Sequence, residues 1–84
     1  MLDVTVSDGK VKPVGQTVRV ALGQVVTVRG VSDVPESLHV HGYDVVLRLQ
    51  PEKPIEERFT ADQSGVFEIE THDSATVVAK LVVQ

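Results

Sequence analysis

The sequence predicts an all-β domain, and three observations support this prediction. Valine is the commonest residue, with nineteen copies against four alanines in 84 residues, and β-branched side chains favour the pleated strand over the helix. Apolar and polar residues alternate in several short runs, and no run keeps the 3.6-residue period of an amphipathic helix. Seven to eight short strands separated by turn residues are typical of a β-sandwich or a small barrel.

The first third of the chain is predicted to form four strands. Residues 2–6 alternate between apolar and polar side chains, and residues 10–14 form a short run that a proline restricts to a sheet edge. Residues 17–22 and 26–29 alternate again. The dipeptide Gly23-Gln24 between these two runs predicts a two-residue hairpin turn.

The next predicted strand, residues 39–49, contains two of the three histidines. Its odd positions run from His39 and His41 to Leu49 and become apolar, so this face is predicted to point toward the core, with the histidines at its rim. Leu38 and Val40 predict the opposite phase. A glycine between the two segments marks a bulge or twist that would reconcile them.

Three further strands are predicted in the second half of the chain. Residues 50–54 carry two prolines and form a connection, after which residues 55–60 read as a polar strand. Residues 61–65 contain Ser-Gly turn chemistry, and residues 67–72 alternate. Residues 77–83 form the last strand, after a short loop.

Length and composition exclude several classes of protein. A chain of 84 residues is one domain, residues 1–84. It has no cysteine, so neither a disulfide nor a thiolate ligand is available. A net charge of −4 without a basic stripe argues against a nucleic-acid partner or an anionic membrane. No apolar run approaches the roughly 20 residues of a membrane span, and this chain shows no signal-peptide pattern.

The histidines predict a metal site. In a strand, His39 and His41 share a face and lie roughly 6–7 Å apart, and His72 from a neighbouring strand would complete a three-histidine set. Imidazole suits Cu(II), Zn(II) or Ni(II), with copper binding most tightly. Carboxylates that could add a ligand or orient an imidazole are Asp44, Glu70 and Asp73. The alternative is that the histidines are ordinary polar residues and that no metal binds.

Several segments of this chain resemble the cupredoxins. The similarity covers nearly the whole chain in order, and the segments are residues 4–9 (VTVSDG), 22–28 (LGQVVTV), 41–43 (HGY), 59–69 (FTADQSGVFEI) and 81–83 (LVV). The resemblance implies a Greek-key β-sandwich, often with copper at one end. It also implies an extracytoplasmic protein, whether periplasmic, secreted or membrane-tethered.

The chain departs from the cupredoxin copper ligands. By resemblance, His41 falls at the position of the first histidine ligand, Thr71 at that of the cysteine and Val77 near that of the methionine, while His72 follows directly on Thr71. A blue copper centre needs the thiolate, which threonine cannot replace. Blue-copper electron transfer is therefore excluded on chemistry.

Three functions follow, in order of preference. The first is a binding module that holds or passes a metal ion, most plausibly copper and alternatively zinc. The second is a metal-free cupredoxin-like domain that acts in structure or interaction. The third is a small metalloenzyme in which three histidines leave a position open for water. The domain is predicted not to be an enzyme, since no nucleophile arrangement or phosphate-binding loop is present, and the sequence specifies no protein partner.

Overall fold

The structure is a computed structural model that describes residues 2–84, which form nine β-strands in two sheets. The all-β prediction is therefore confirmed, with nine strands where the sequence predicted seven to eight. No helix in residues 2–84 is long and apolar enough to cross a membrane. The strands are β1 (Leu2–Ser7), β2 (Lys10–Lys12), β3 (Gln16–Val20), β4 (Val25–Ser32), β5 (Glu36–Val40), β6 (Val45–Leu49), β7 (Ile55–Thr60), β8 (Gly65–Thr71) and β9 (Val77–Val83).

The two sheets are built from strands that cross repeatedly from one to the other. The four-stranded sheet has the order β2-β1-β4-β7, and the five-stranded sheet has the order β3-β9-β8-β5-β6. Strand β1 pairs parallel to β4, and β3 pairs parallel to β9. Because β3 and β4 lie in different sheets, the hairpin predicted at Gly23-Gln24 is wrong. That turn connects the two sheets, and Gly23 N donates to the carbonyl of Ala61 at 2.8 Å.

The core lies between the sheets and follows the alternation of the strands. In β1 and β8, for example, buried residues alternate with more exposed ones along most of the strand. The fully buried side chains are mostly leucine, isoleucine and valine, whose burial is the main stabilising contribution in so small a domain. The largest of them are Leu38, Leu47, Leu49, Ile69, Leu81, Val4, Val28, Val40, Val78 and Val83.

The predicted histidine strand is in fact a hairpin. Residues 41–44 form a turn, and β5 and β6 pair antiparallel on either side of it, with Val40 opposite Val45. In β5 the even positions Leu38 and Val40 are buried, whereas in β6 the odd positions Leu47 and Leu49 are buried. The two conflicting phases in the sequence therefore mark a turn rather than a bulge. The prediction that His39 points toward the core is wrong, because β5 follows the even phase.

Aromatic side chains hold this hairpin turn against the neighbouring strands. Tyr43 packs between Phe59 and Phe67, with ring centroids 5.0 and 4.8 Å away. Its hydroxyl donates to the carbonyl of Gln63 at 2.7 Å. Tyr43 thus packs against the core, as the sequence indicated, and fixes the turn that follows His41.

Candidate metal centre

The candidate site lies on the face of the five-stranded sheet that points away from the core, called here the outer face. In antiparallel pairing, directly opposite residues point to the same side of the sheet. Leu38 pairs with Thr71, and both are buried. The next pair, His39 and Glu70, therefore points to the outer face.

Three side chains meet in two close pairs on the outer face. The imidazole rings of His39 and His41 have centroids 4.3 Å apart and are tilted by 52°. Nε2 of His41 lies 2.5 Å from Oε1 of Glu70. Backbone pairing positions both histidines, since His39 lies opposite Glu70 and the amide of His41 donates to the carbonyl of Glu68 at 2.9 Å.

The site is open to solvent. The side chains of His41 and Glu70 are 46% and 34% exposed, and residues 2–84 enclose no cavity. Exposed ion pairs of this kind contribute little to folding. The hydrogen bond between His41 and Glu70 therefore adds little to stability, and both side chains are free to take a ligand from water.

The third histidine lies further along the sheet. The amide of His72 donates to the carbonyl of Ser37 at 2.9 Å, so His72 lies opposite Ser37. His41 is opposite Glu68, four residues away along β8, which corresponds to about 13 Å of strand. The exposed His72 thus begins the loop between β8 and β9, at the far end of β5 from His41.

The two predicted aspartates lie in turns at opposite ends of β5. Asp44 closes the hairpin turn and has a positive φ of 56°, a conformation that aspartate tolerates better than most residues. Asp73 lies in the loop after β8, next to His72, and is exposed. Among residues 2–84 as they stand, no three or more histidine, aspartate or glutamate side chains already surround a position for a metal ion. The ligand set of His39, His41 and His72 therefore stays a prediction.

Sequence reasoning missed one buried carboxylate. Glu36 is only 5% exposed, and one of its oxygens accepts hydrogen bonds from the amides of Ser37 and Asp73 at 3.0 and 2.8 Å. The other accepts from the amide and hydroxyl of Ser74 at 3.3 and 3.1 Å. Glu36 thus fastens the loop that carries His72 to the start of β5.

These contacts set the ionisation of Glu36. Burial raises the pKa of this carboxyl, but the hydrogen bonds from the amides of Asp73 and Ser37 and from Ser74 outweigh burial and hold the pKa below its ordinary value. Glu36 shares the even, buried phase of Leu38 and Val40. That phase was the signal in the sequence that this glutamate is buried.

The positions expected from the cupredoxin resemblance are not adjacent in space. Thr71, at the expected cysteine position, is buried and hydrogen-bonds through its hydroxyl with Ser74. His41 lies three residues beyond Leu38, the partner of Thr71 on β5. This corresponds to about 10 Å of strand. His41, at the expected position of the first histidine ligand, therefore lies away from Thr71, at the expected position of the cysteine.

Comparison with known proteins places the fold. No family model and no curated protein matches this chain. A copper nitrite reductase from Nitrosomonas europaea is similar over 99% of this chain and 40% of its own, with a TM-score of 0.73 and 18% identity. A multicopper oxidase from Pseudomonas thermotolerans is similar over 98% and 28%, with a TM-score of 0.71 and 22% identity.

A smaller copper protein is also similar. An amicyanin variant in its Cu(I) form matches 99% of this chain and 81% of its own, with a TM-score of 0.57 and 17% identity. This chain thus spans well under half of the nitrite reductase and the oxidase, and most of amicyanin. At these identities the likeness shows the fold, a Greek-key sandwich of the cupredoxin type.

Proposed function

We propose that this cupredoxin-like domain binds a divalent transition-metal ion, preferably Cu(II), through His39, His41 and Glu70. The observation that carries the proposal is the juxtaposition of two imidazoles, with centroids 4.3 Å apart, and a carboxylate oxygen 2.5 Å from one of them. Two nitrogens that each lie about 2.0–2.1 Å from one ion are roughly 3–4 Å apart. The three side chains are not already grouped around an ion position, so a cation would draw them together by side-chain rotation and replace the hydrogen bond between His41 and Glu70.

Similar folds in copper proteins support the choice of metal, and so does the donor set. Imidazole nitrogen and carboxylate oxygen bind divalent ions, with copper above zinc in affinity. The chain has no cysteine, so the site would hold copper without forming a blue copper centre. We propose a module that holds or passes the ion rather than an enzyme.

Metal titration of three proteins tests this proposal. Cu(II) and Zn(II) should bind the wild type with one dominant site, and His41→Ala should weaken binding roughly tenfold or more, because one of two imidazoles is lost. His72→Ala is the matched control, and we expect it to change the affinity less than about threefold, because His72 lies beyond the end of β8, about 7 Å of strand from Glu70 and about 13 Å from His41. Calorimetry or competition with a chelator of known affinity measures all three.

Each other outcome has a defined meaning. Equal affinity in the wild type and His41→Ala would refute the proposal. Equal losses in His41→Ala and His72→Ala would instead support the three-histidine set predicted from the sequence. A folded protein indifferent to copper, zinc and chelators would favour the metal-free interaction domain.

We also propose that the domain works outside the cytoplasm, which rests on its resemblance to cupredoxins. Fractionation of cells that express the full-length gene product at its native level would test this location. Recovery of the protein in the cytosolic fraction alone would contradict it.

A further inference from the structure

The donor atoms of the outer face differ in the oxidation states they favour. The chain has no cysteine, and its single methionine is Met1, so sulfur ligands, which favour Cu(I), are nearly absent from it. The two imidazoles suit copper in either oxidation state, whereas a carboxylate is a hard ligand that favours the divalent ion. Glu70 is therefore the one ligand of the proposed site that binds Cu(II) in preference to Cu(I).

We infer that Glu70 makes this site selective for the oxidation state of copper, an inference that rests on the proposed function. Cu(II) takes both imidazoles and the Glu70 carboxylate, while Cu(I) is held by the two imidazoles alone. Cu(I) would then be held more weakly than Cu(II). The site would retain copper in oxidising surroundings and release it readily to a partner that offers thiolate or thioether ligands.

The geometry explains how Glu70 can act in this way. Glu70 lies directly opposite His39 in the β5–β8 pairing, and its Oε1 lies 2.5 Å from Nε2 of His41. It therefore contacts the His41 imidazole and lies across from His39 on a neighbouring strand, so rotation of side chains, without any change of the backbone, would bring all three to one ion. Its side chain is 34% exposed, so coordination replaces water and one hydrogen bond rather than disrupting the core.

Binding of three ions to wild type and Glu70→Gln tests the inference. Glutamine keeps the size of the side chain and removes its charge. We expect Cu(II) and Zn(II) affinities to fall about 10- to 100-fold, while the Cu(I) affinity, measured anaerobically against a Cu(I)-specific chelator, changes less than about threefold. The midpoint potential of bound copper should accordingly rise by about 59 mV for each tenfold change in the ratio of the two affinities.

Glu68→Gln is the matched control. Glu68 is exposed and lies opposite His41, so its loss removes the same charge from the same face while leaving the Glu70 carboxylate against Nε2 of His41. We expect it to change Cu(II) affinity less than about threefold. Equal losses of Cu(II) affinity in the two variants would assign the effect to the negative electrostatic potential of the outer face. They would overturn the role of Glu70 as a ligand.

The test separates this inference from the proposed function. A wild type that binds neither copper ion would refute both. A wild type that binds Cu(II), loses that binding in His41→Ala, and loses Cu(I) and Cu(II) affinity equally in Glu70→Gln would keep the metal site and overturn the selectivity. Metal-dependent changes in the His39 and His41 imidazole NMR signals would identify the site independently of affinity.

Discussion

Replacing Gly42 with alanine should reduce the free energy of unfolding by about 2–4 kcal/mol, the largest loss expected from adding one methyl group to a turn of this protein. Gly42 has a φ of 88°, where a side chain is strained. A Cβ atom there would also lie 2.7 Å from Cε1 of Phe67, well inside van der Waals contact. Denaturant titration followed by circular dichroism measures the loss.

Gly23→Ala separates the two causes. Gly23 has nearly the same conformation, with a φ of 91°, but no atom lies within 4 Å of the position where its Cβ would be. We expect this control to cost about 1–2 kcal/mol, from backbone strain alone. If Gly42→Ala costs no more than Gly23→Ala, the packing of Phe67 against the hairpin turn is not the restraint described above.

Gly42 also connects stability with the candidate site. It follows His41 directly, and the ring that its Cβ would strike packs against Tyr43. A displaced turn would move the imidazole of His41 relative to Glu70. Among folded molecules, Gly42→Ala should therefore weaken Cu(II) binding, whereas Gly23→Ala, at a turn that connects β3 and β4, should leave it unchanged.

The fold was predictable because the core depends on local patterns. Residues 2–6 and 67–71 alternate strongly, and buried side chains follow that alternation in β1 and in most of β8. The pairing of β3 with β9, by contrast, joins residues more than sixty positions apart. No local pattern encodes that contact, which explains why the turn at Gly23-Gln24 was mistaken for a hairpin.

The candidate site was only partly predictable. The prediction that His39 and His41 lie side by side agrees with their ring centroids, 4.3 Å apart, although His41 lies in the turn and not in the predicted strand. Which face they occupy depends on where the strand ends, and the turn at residues 41–44 reversed the phase on which the prediction relied. Glu70 was named only as an additional ligand, since its closeness to His41 results from the register of β5 against β8.

The pH dependence of stability should identify Glu36 as the carboxylate that anchors the loop of His72. Its pKa in the folded state is held below the ordinary value. A group with a lowered folded pKa stabilises the protein above its unfolded pKa, and that contribution is lost as the pH falls through the folded pKa. The free energy of unfolding should therefore decline as the pH is lowered from about 4.5.

Glu36→Gln should remove this dependence together with part of the stability. An amide has one acceptor oxygen in place of two, so the amides of Asp73 and Ser74 cannot both keep a partner in the buried site. We expect a loss of about 1.5–3 kcal/mol at neutral pH, since hydrogen bonds to a charged group are stronger than neutral ones. The deficit relative to wild type should shrink as the pH falls below about 4.5, because protonation removes the charge of Glu36 in the wild type as well.

The exposed Glu57 on β7 provides the matched substitution, Glu57→Gln, which changes the net charge equally. It should follow the wild-type pH profile closely. A difference in the free energy of unfolding between wild type and Glu36→Gln that stays constant from about pH 7 to about pH 3 would contradict the assignment. The loop would then be held by contacts that do not ionise. If the assignment holds, the same loss of charge frees the segment that carries His72 while β5 keeps its pairing with β8, so Cu(II) binding by His39 and His41 should persist in Glu36→Gln.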